Sequence, residues 1–236
     1  MDTVGDLVAR ERRSDALALR TDSRAGSYSY EKLCTTAWKA GNLFRHYGVR
    51  EGATVAVDAA EALSPPPLTA FLGAGLLGAT VTFDPGRRVE ARALVVPADR
   101  VAEYDSGPGT QVLAYGDDPD ETGVAHFERE VWSENPTMPP EAVAPGTALL
   151  AAGGETYTHR RLLTAADRVA REAELTAADS VAVRAPLSDA GTVVGGVLAP
   201  LSVGGTILVD RDRTGEVGVG RGVPEARTID PAEVPL

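Results

Sequence analysis

The chain repeats itself over a long period. When it is slid along itself so that Val55 meets Val181, Ala56 meets Ala182, Val57 meets Val183 and Ala59 meets Ala185. At the same offset Leu72 meets Leu198, Gly78 meets Gly204, Thr80 meets Thr206 and Asp84 meets Asp210. With a small slip, Ser29-Tyr30-Glu31 meets Thr158-His159-Arg160. Each copy reads helix, strand, apolar helix, glycine, strand, Asp. The period is too long for a solenoid, whose units run about 20–50 residues. A strand, a helix and a second strand in succession imply a right-handed crossover in a parallel sheet. The repeat therefore predicts an α/β fold: two similar α/β subdomains with mainly parallel sheets. The first would span 1–145 with a connector, and the second, shortened, 146–236.

Local signals fill in the copies. Val4, Leu7 and Val8 share a helical face that Asp2 or Thr3 can cap. Leu17–Arg20 alternates like a strand, and the turn from Thr21 to Gly26 leads to Ser27-Tyr28, so a hairpin is expected. Ser29 caps a helix to about Tyr47, with Leu33, Ala37, Ala40, Leu43 and Phe44 inward and Gly48 as its stop. Strand 54–57, an apolar helix around 68–77 after Pro65-Pro66-Pro67, and strand 80–83 follow. Between the copies lie a strand at 111–115, a turn at 116–120 and an exposed connector at 135–140. Strand 148–151 opens the second copy.

Composition narrows the function classes. Asp and Glu number 34 against 23 Lys and Arg, a net charge of -11. A nucleic-acid surface needs a basic stripe, which this balance argues against. No apolar run reaches the roughly 18 residues that cross a bilayer, and the first residues have neither the basic start nor the apolar stretch of a signal peptide. Cys34 is the single cysteine, which removes internal disulfides and Cys-based zinc sites. The chain reads as soluble and cytoplasmic. Lys32 and Lys39 are its only lysines. Acid excess with Arg in place of Lys fits either codon bias or a high-salt cytoplasm, where salt screens self-repulsion.

Familiar catalytic patterns fail one by one. Gly73-Ala74-Gly75-Leu76-Leu77-Gly78 fits G-x-G-x-x-G, but a helix precedes the glycines and a strand follows. That is the reverse of a dinucleotide site, so close helix packing and a helix stop are expected. Neither lysine follows a glycine, which excludes a Walker loop. No G-x-S-x-G elbow is present. His46, His126 and His159 have no metal-ligand spacing. His159, in the first turn of a predicted helix, reads as a solvated surface residue, and Cys34 as a small buried one.

Short stretches recur in a recognisable order: Tyr28-Ser29-Tyr30-Glu31-Lys32-Leu33, Gly48-Val49-Arg50-Glu51-Gly52-Ala53-Thr54-Val55-Ala56, and Gly75-Leu76-Leu77-Gly78-Ala79-Thr80-Val81-Thr82-Phe83-Asp84-Pro85. Thr158-His159-Arg160-Arg161-Leu162-Leu163 and Leu198-Ala199-Pro200-Leu201-Ser202-Val203-Gly204-Gly205-Thr206-Ile207-Leu208 complete it. In this order the chain resembles the N-terminal part of the AMP-dependent synthetase and ligase family, the adenylate-forming acyl-CoA synthetases. That fold also contains two related α/β subdomains.

The departures from that family are as informative. Its phosphate loop, rich in Ser, Thr and Gly and carrying a Lys, belongs between Ala151 and Thr158. Here the interval is Ala152-Gly153-Gly154-Glu155-Thr156-Tyr157. Backbone N–H groups and a cation hold ATP phosphates, whereas Glu155 brings a negative charge. The aromatic–His pair expected near Pro186-Leu187 is replaced by Ser188-Asp189, and the later nucleotide motifs and catalytic C-terminal domain would lie beyond Leu236. The resemblance thus implies a degenerate relative with no catalytic residue, no metal and no bound cofactor, ATP or AMP and CoA being the family's ligands. Gly153, Gly154, Thr156, His159 and Arg160 are the candidate ligand contacts. The implied role is binding or assembly, in a homo-oligomer or beside a full-length synthetase, with no nucleic acid or membrane partner. The alternatives are one half of a split ligase and a nucleotide or acyl-group sensor.

Overall fold

The computed structural model describes residues 1–22, 26–59, 63–83, 85–210 and 212–236. Ser23, Arg24 and Ala25 of the expected turn, and Asp84 of the repeat, lie outside the described residues.

The first copy runs α1 (Val4–Leu7), β1 (Leu17–Arg20), β2 (Tyr28–Ser29), α2 (Tyr30–His46), β3 (Thr54–Val57), α3 (Pro65–Gly75) and β4 (Thr80–Phe83). It continues through β5 (Arg88–Val89), β6 (Ala93–Pro97), β7 (Asp105–Ser106), β8 (Gln111–Tyr115), β9 (Ala125–His126) and α4 (Phe127–Ser133). The second has β10 (Ala148–Ala152), β11 (Glu155–Thr158), α5 (His159–Glu172), β12 (Ser180–Val183), α6 (Ala190–Val193), α7 (Ala199–Val203), β13 (Thr206–Leu208), β14 (Val217–Val219) and β15 (Arg227–Ile229). A π-helical turn, Val194–Leu198, joins α6 to α7, and a 3-10 turn, Pro231–Glu233, follows β15.

The repeat holds at the level of register. Thr54 faces Thr80 and Val55 faces Val81 between β3 and β4. Ser180 faces Thr206 and Val181 faces Ile207 between β12 and β13, which are the pairs that the sequence offset predicts. β3 pairs on its other side with β6, and β12 with β14. All of these pairs are parallel.

The sheets do not divide where the sequence suggests. Their strand orders are β11-β10-β4-β3-β6-β8-β9 and β15-β14-β12-β13-β1-β2. The opening hairpin of each copy therefore joins the other copy's sheet. β1 lies parallel to β13, with Leu19 beside Ile207, and β10 lies parallel to β4, with Leu150 beside Val81. This reciprocal exchange crosses the expected boundary at 145/146. It builds a continuous core that holds Leu19, Val81, Leu150, Val181 and Ile207. Burial at about 25 cal/mol per Å² makes such a shared core the main tie between the copies.

Local signals behave as their chemistry requires. Ser29 Oγ accepts the Lys32 N–H at 3.2 Å, Gly48 ends α2 at φ +82°, and the inner-face residues are buried. Gly73 has no room for a side chain, because a Cβ there would lie 2.7 Å from the Gly41 nitrogen. The glycine cluster thus packs α3 on α2. The 135–140 connector is mostly exposed, with Pro139 buried.

Candidate functional site

The interval expected to hold a phosphate loop is a two-residue hairpin. Ala152 pairs with Glu155, and Gly153 and Gly154 lie between them at φ +59° and +82°. Two successive positive φ values are the signature of a type I′ turn, which matches the strand twist and needs glycine or asparagine. Both glycines are exposed, and a Cβ on either would meet nothing within 4 Å. Thr156 is exposed and paired with Ala151. Glu155 lies 3.5 Å from the Arg161 guanidinium, which sits 4.6 Å from the centre of the Tyr157 ring. Arg160 is exposed at the start of α5 and donates its backbone N–H to the Pro145 carbonyl at 2.9 Å.

His159 is not a surface residue. It is 0% exposed, and its Nδ1 accepts the Val4 N–H at 3.1 Å. An accepting Nδ1 places the proton of the neutral ring on Nε2. Burial pushes the pKa down to about 4, because the apolar surroundings oppose the charged form. His159 thus faces α1, while Gly153 and Gly154 stand at an exposed hairpin tip. The candidate contacts do not form one pocket-lining group.

The strand ends of the second copy are filled. Arg184, just after β12, pairs with Glu225 at 2.7 Å, and the Glu225 side chain is fully buried. Asp189 caps α6 by accepting the Gly191 N–H at 2.9 Å. The Pro231 carbonyl lies so close to Gly191 that any Cβ there would overlap it.

The ends of β8 and β9 border a groove of about 890 Å³. It lies between α2, the start of α3 and the Tyr115–Trp132 segment, with Tyr28, Pro65, Pro66, Tyr115, Phe127 and Trp132 among its walls. Beside it, Asp58 is buried at the end of β3 and accepts from Arg100 at 3.0 Å and Tyr104 at 2.6 Å. The Asp58 carbonyl accepts the Tyr115 hydroxyl at 2.8 Å. These bonds anchor the groove's inner end. Both lysines line it: Lys32 lies 3.8 Å from the centre of the Tyr28 ring, and burial lowers its pKa. Burial also raises the Tyr28 pKa to about 12. The sequence marked neither Asp58 nor the 115–132 wall, which carry no motif. Among the described residues no group of His, Cys, Asp and Glu could hold a metal, and no helix is long and apolar enough to cross a membrane.

No protein-family model and no curated protein matches the chain. Solved structures do. The anthranilate CoA ligase AuaEII, in complex with anthranoyl-AMP, is similar with a TM-score of 0.78 and 16% identity, over 92% of this chain and 49% of the ligase. A benzoate CoA ligase from Burkholderia xenovorans gives 0.76 and 20% identity, over 92% and 50%. The nonribosomal peptide synthetase FmoA3, bound to α-methyl-L-serine-AMP, gives 0.71 and 21%, over 88% and 24%. The chain thus has, along nearly its whole length, the α/β fold of these proteins and spans about half the length of the CoA ligases.

Proposed function

We propose that the chain is a shortened, degenerate relative of the acyl-CoA synthetases that keeps their scaffold, does not adenylate acids, and acts in binding or assembly. The two-residue turn at Gly153-Gly154 carries this reading. Adenylation needs a carboxylate held against the α-phosphate, with donors and a cation stabilising the charge that develops on its oxygens. A type I′ turn has too few N–H groups to wrap a triphosphate. The only charged residue between Ala152 and Thr158 is Glu155, and its partner Arg161 already faces Tyr157.

The coverage of the CoA ligases favours a second reading, one half of a split ligase completed by another chain. A partner could add missing domains, but the short turn is internal to this chain, so the scaffold reading is preferred. The test is acid-dependent exchange of pyrophosphate into ATP, with short, medium and aromatic acids, with and without native cell extract at matched salt. No exchange is expected in either arm. Exchange by the purified chain that Arg160→Ala or Glu155→Ala abolishes would overturn the proposal, and exchange only with extract would favour the split ligase.

A further inference from the structure

We propose that the groove face of the first copy is a self-association surface, on which two molecules of this chain pair about a two-fold axis that runs along the groove. A two-fold interface uses the same patch twice, so the patch must complement itself in shape and in charge. The groove, of about 890 Å³, is a recess, and Trp132, 82% exposed on α4, is a projection in its wall. The recess offers little to a polar ligand. Pro65, Pro66 and Pro67 occupy the first turn of α3, and proline has no N–H. The hydroxyls of Thr36 and Thr69 donate to the Lys32 and Pro65 carbonyls of their own helices, at 2.7 and 2.9 Å. Such a surface suits an aromatic side chain, and large aromatic anchors dominate the energy of protein interfaces.

Charge complements itself across the groove. The α2 wall holds Lys32 and Lys39, the chain's only lysines. The opposite wall holds Glu128, and the turn after Gly116 carries Asp117, Asp118 and Asp120, all exposed. Each side has unfilled capacity. The Lys39 ammonium donates to the Trp132 carbonyl at 2.6 Å, makes no ion pair among the described residues, and retains further donors. Glu128 accepts the Gly116 N–H through Oε1 at 3.0 Å, whereas its Oε2 is buried with no hydrogen-bond partner among the described residues. His126 lies 3.6 Å from that oxygen, but its Nδ1 accepts the Arg129 N–H and so has no proton to give. An axis along the groove sets each α2 wall against the partner's Glu128 wall, lysine opposite carboxylate. Two chains of net charge -11 otherwise repel each other, and this face opposes that repulsion locally.

The inference rests on the assembly part of the proposed function, but its test reads mass rather than turnover. Pyrophosphate exchange by the chain would leave it standing, and its failure would leave the exchange result untouched. Sedimentation of the intact chain should show a monomer near about 1 µM and a dimer near about 100 µM, as for a Kd of about 10 µM. Acrylamide quenching of tryptophan should fall over the same range. Trp38 is buried and donates to the Val8 carbonyl, so the quenchable ring is that of Trp132. Trp132→Ala should weaken the dimer by at least about tenfold, and Lys39→Glu and Glu128→Lys should each do the same. Mixing the two charge variants should restore a heterodimer to within about threefold of the parent affinity, because both contacts then set a cation against a carboxylate. Misfolding of either variant could not produce that rescue. A chain that stays monomeric at the higher concentration, a dimer that survives Trp132→Ala, or charge variants that do not rescue each other would overturn the proposal. A monomer whose Trp132 is protected only by native cell extract would overturn it in favour of a different partner.

Discussion

In the first copy the end of β8 borders an open groove; in the second, the matching end of β15 runs into a turn packed on the start of α6. The backbones correspond in register, so the difference lies in a few residues. The repeat offset places Pro65 opposite Gly191. Pro65 holds a ring at the start of α3, where it forms a groove wall. Gly191 leaves bare backbone at the start of α6, which allows the Pro231 carbonyl to approach. Asp230 then fixes that turn by accepting the Ala232 N–H at 3.0 Å. The chain of the first copy instead runs on through β9 into α4, whose exposed Trp132 stands in the groove's wall. Where an open α/β sheet can hold a ligand thus depends on what the chain does after its last parallel strand.

The sharpest way to break this contrast is to exchange bulk at the paired positions. Gly191→Ala should destabilise the protein by about 3 kcal/mol, since the obstacle is a backbone carbonyl that cannot rotate aside. Pro65→Ala should cost less, about 1–2 kcal/mol, because the buried ring leaves space beside the groove without displacing backbone, and the unfolded chain is freed slightly. Urea unfolding of both variants measures the difference. Equal costs would mean that the second copy's strand ends are not closed as described.

The histidine offers a smaller, pH-dependent contrast. Tyr30 and His159 open α2 and α5 at equivalent places. The Tyr30 hydroxyl donates to the Gly205 carbonyl at 2.8 Å, and burial keeps it from ionising at any ordinary pH. His159 has a folded pKa of about 4 against an ordinary 6.5. The unfolded chain therefore binds more protons between these values, and stability falls as pH drops from 6.5 toward 4. The loss should be about 2 kcal/mol, with α1 released from α5 as the Val4 N–H loses its acceptor. His159→Gln, which keeps an acceptor, should flatten that part of the stability curve. A curve with the same slope in both proteins would mean that other groups set it.

Much of this architecture is legible in the residues. The constant offset predicts the strand register, Ser29 and Gly48 bound α2, and the 73–78 glycines read as packing rather than as a nucleotide loop. The hairpin exchange is not legible, because a short alternating strand carries no mark of which sheet edge it will meet. The burial of His159 is legible in its spacing, although a histidine in the first turn of a helix reads as solvated. It stands at i to Leu162, Leu163 and Ala166, all buried, and this is the spacing of an inward helical face. The groove escapes sequence reading because its walls come from three distant segments. Two of its wall hydroxyls, Thr36 and Thr69, turn toward their own helix carbonyls, which no residue count reveals.

The smallest expected effect concerns salt, and it separates paired charges from the field of the whole chain. Exposed pairs such as Arg129 with Asp118 and Arg168 with Glu172 are worth little each, and screening them costs little. The buried Arg184–Glu225 pair is shielded from ions. The remaining term is self-repulsion of a chain with net charge -11, which compacts charge on folding and is relieved by salt. Raising KCl from low to molar concentration should therefore stabilise the fold by about 1 kcal/mol, or roughly 2–4 °C in melting temperature for a chain of this size. Both copies should gain together, because they share one core. A flat or falling melting curve would show that the surface pairs outweigh the net field, and would leave codon bias as the better account of the scarcity of lysine.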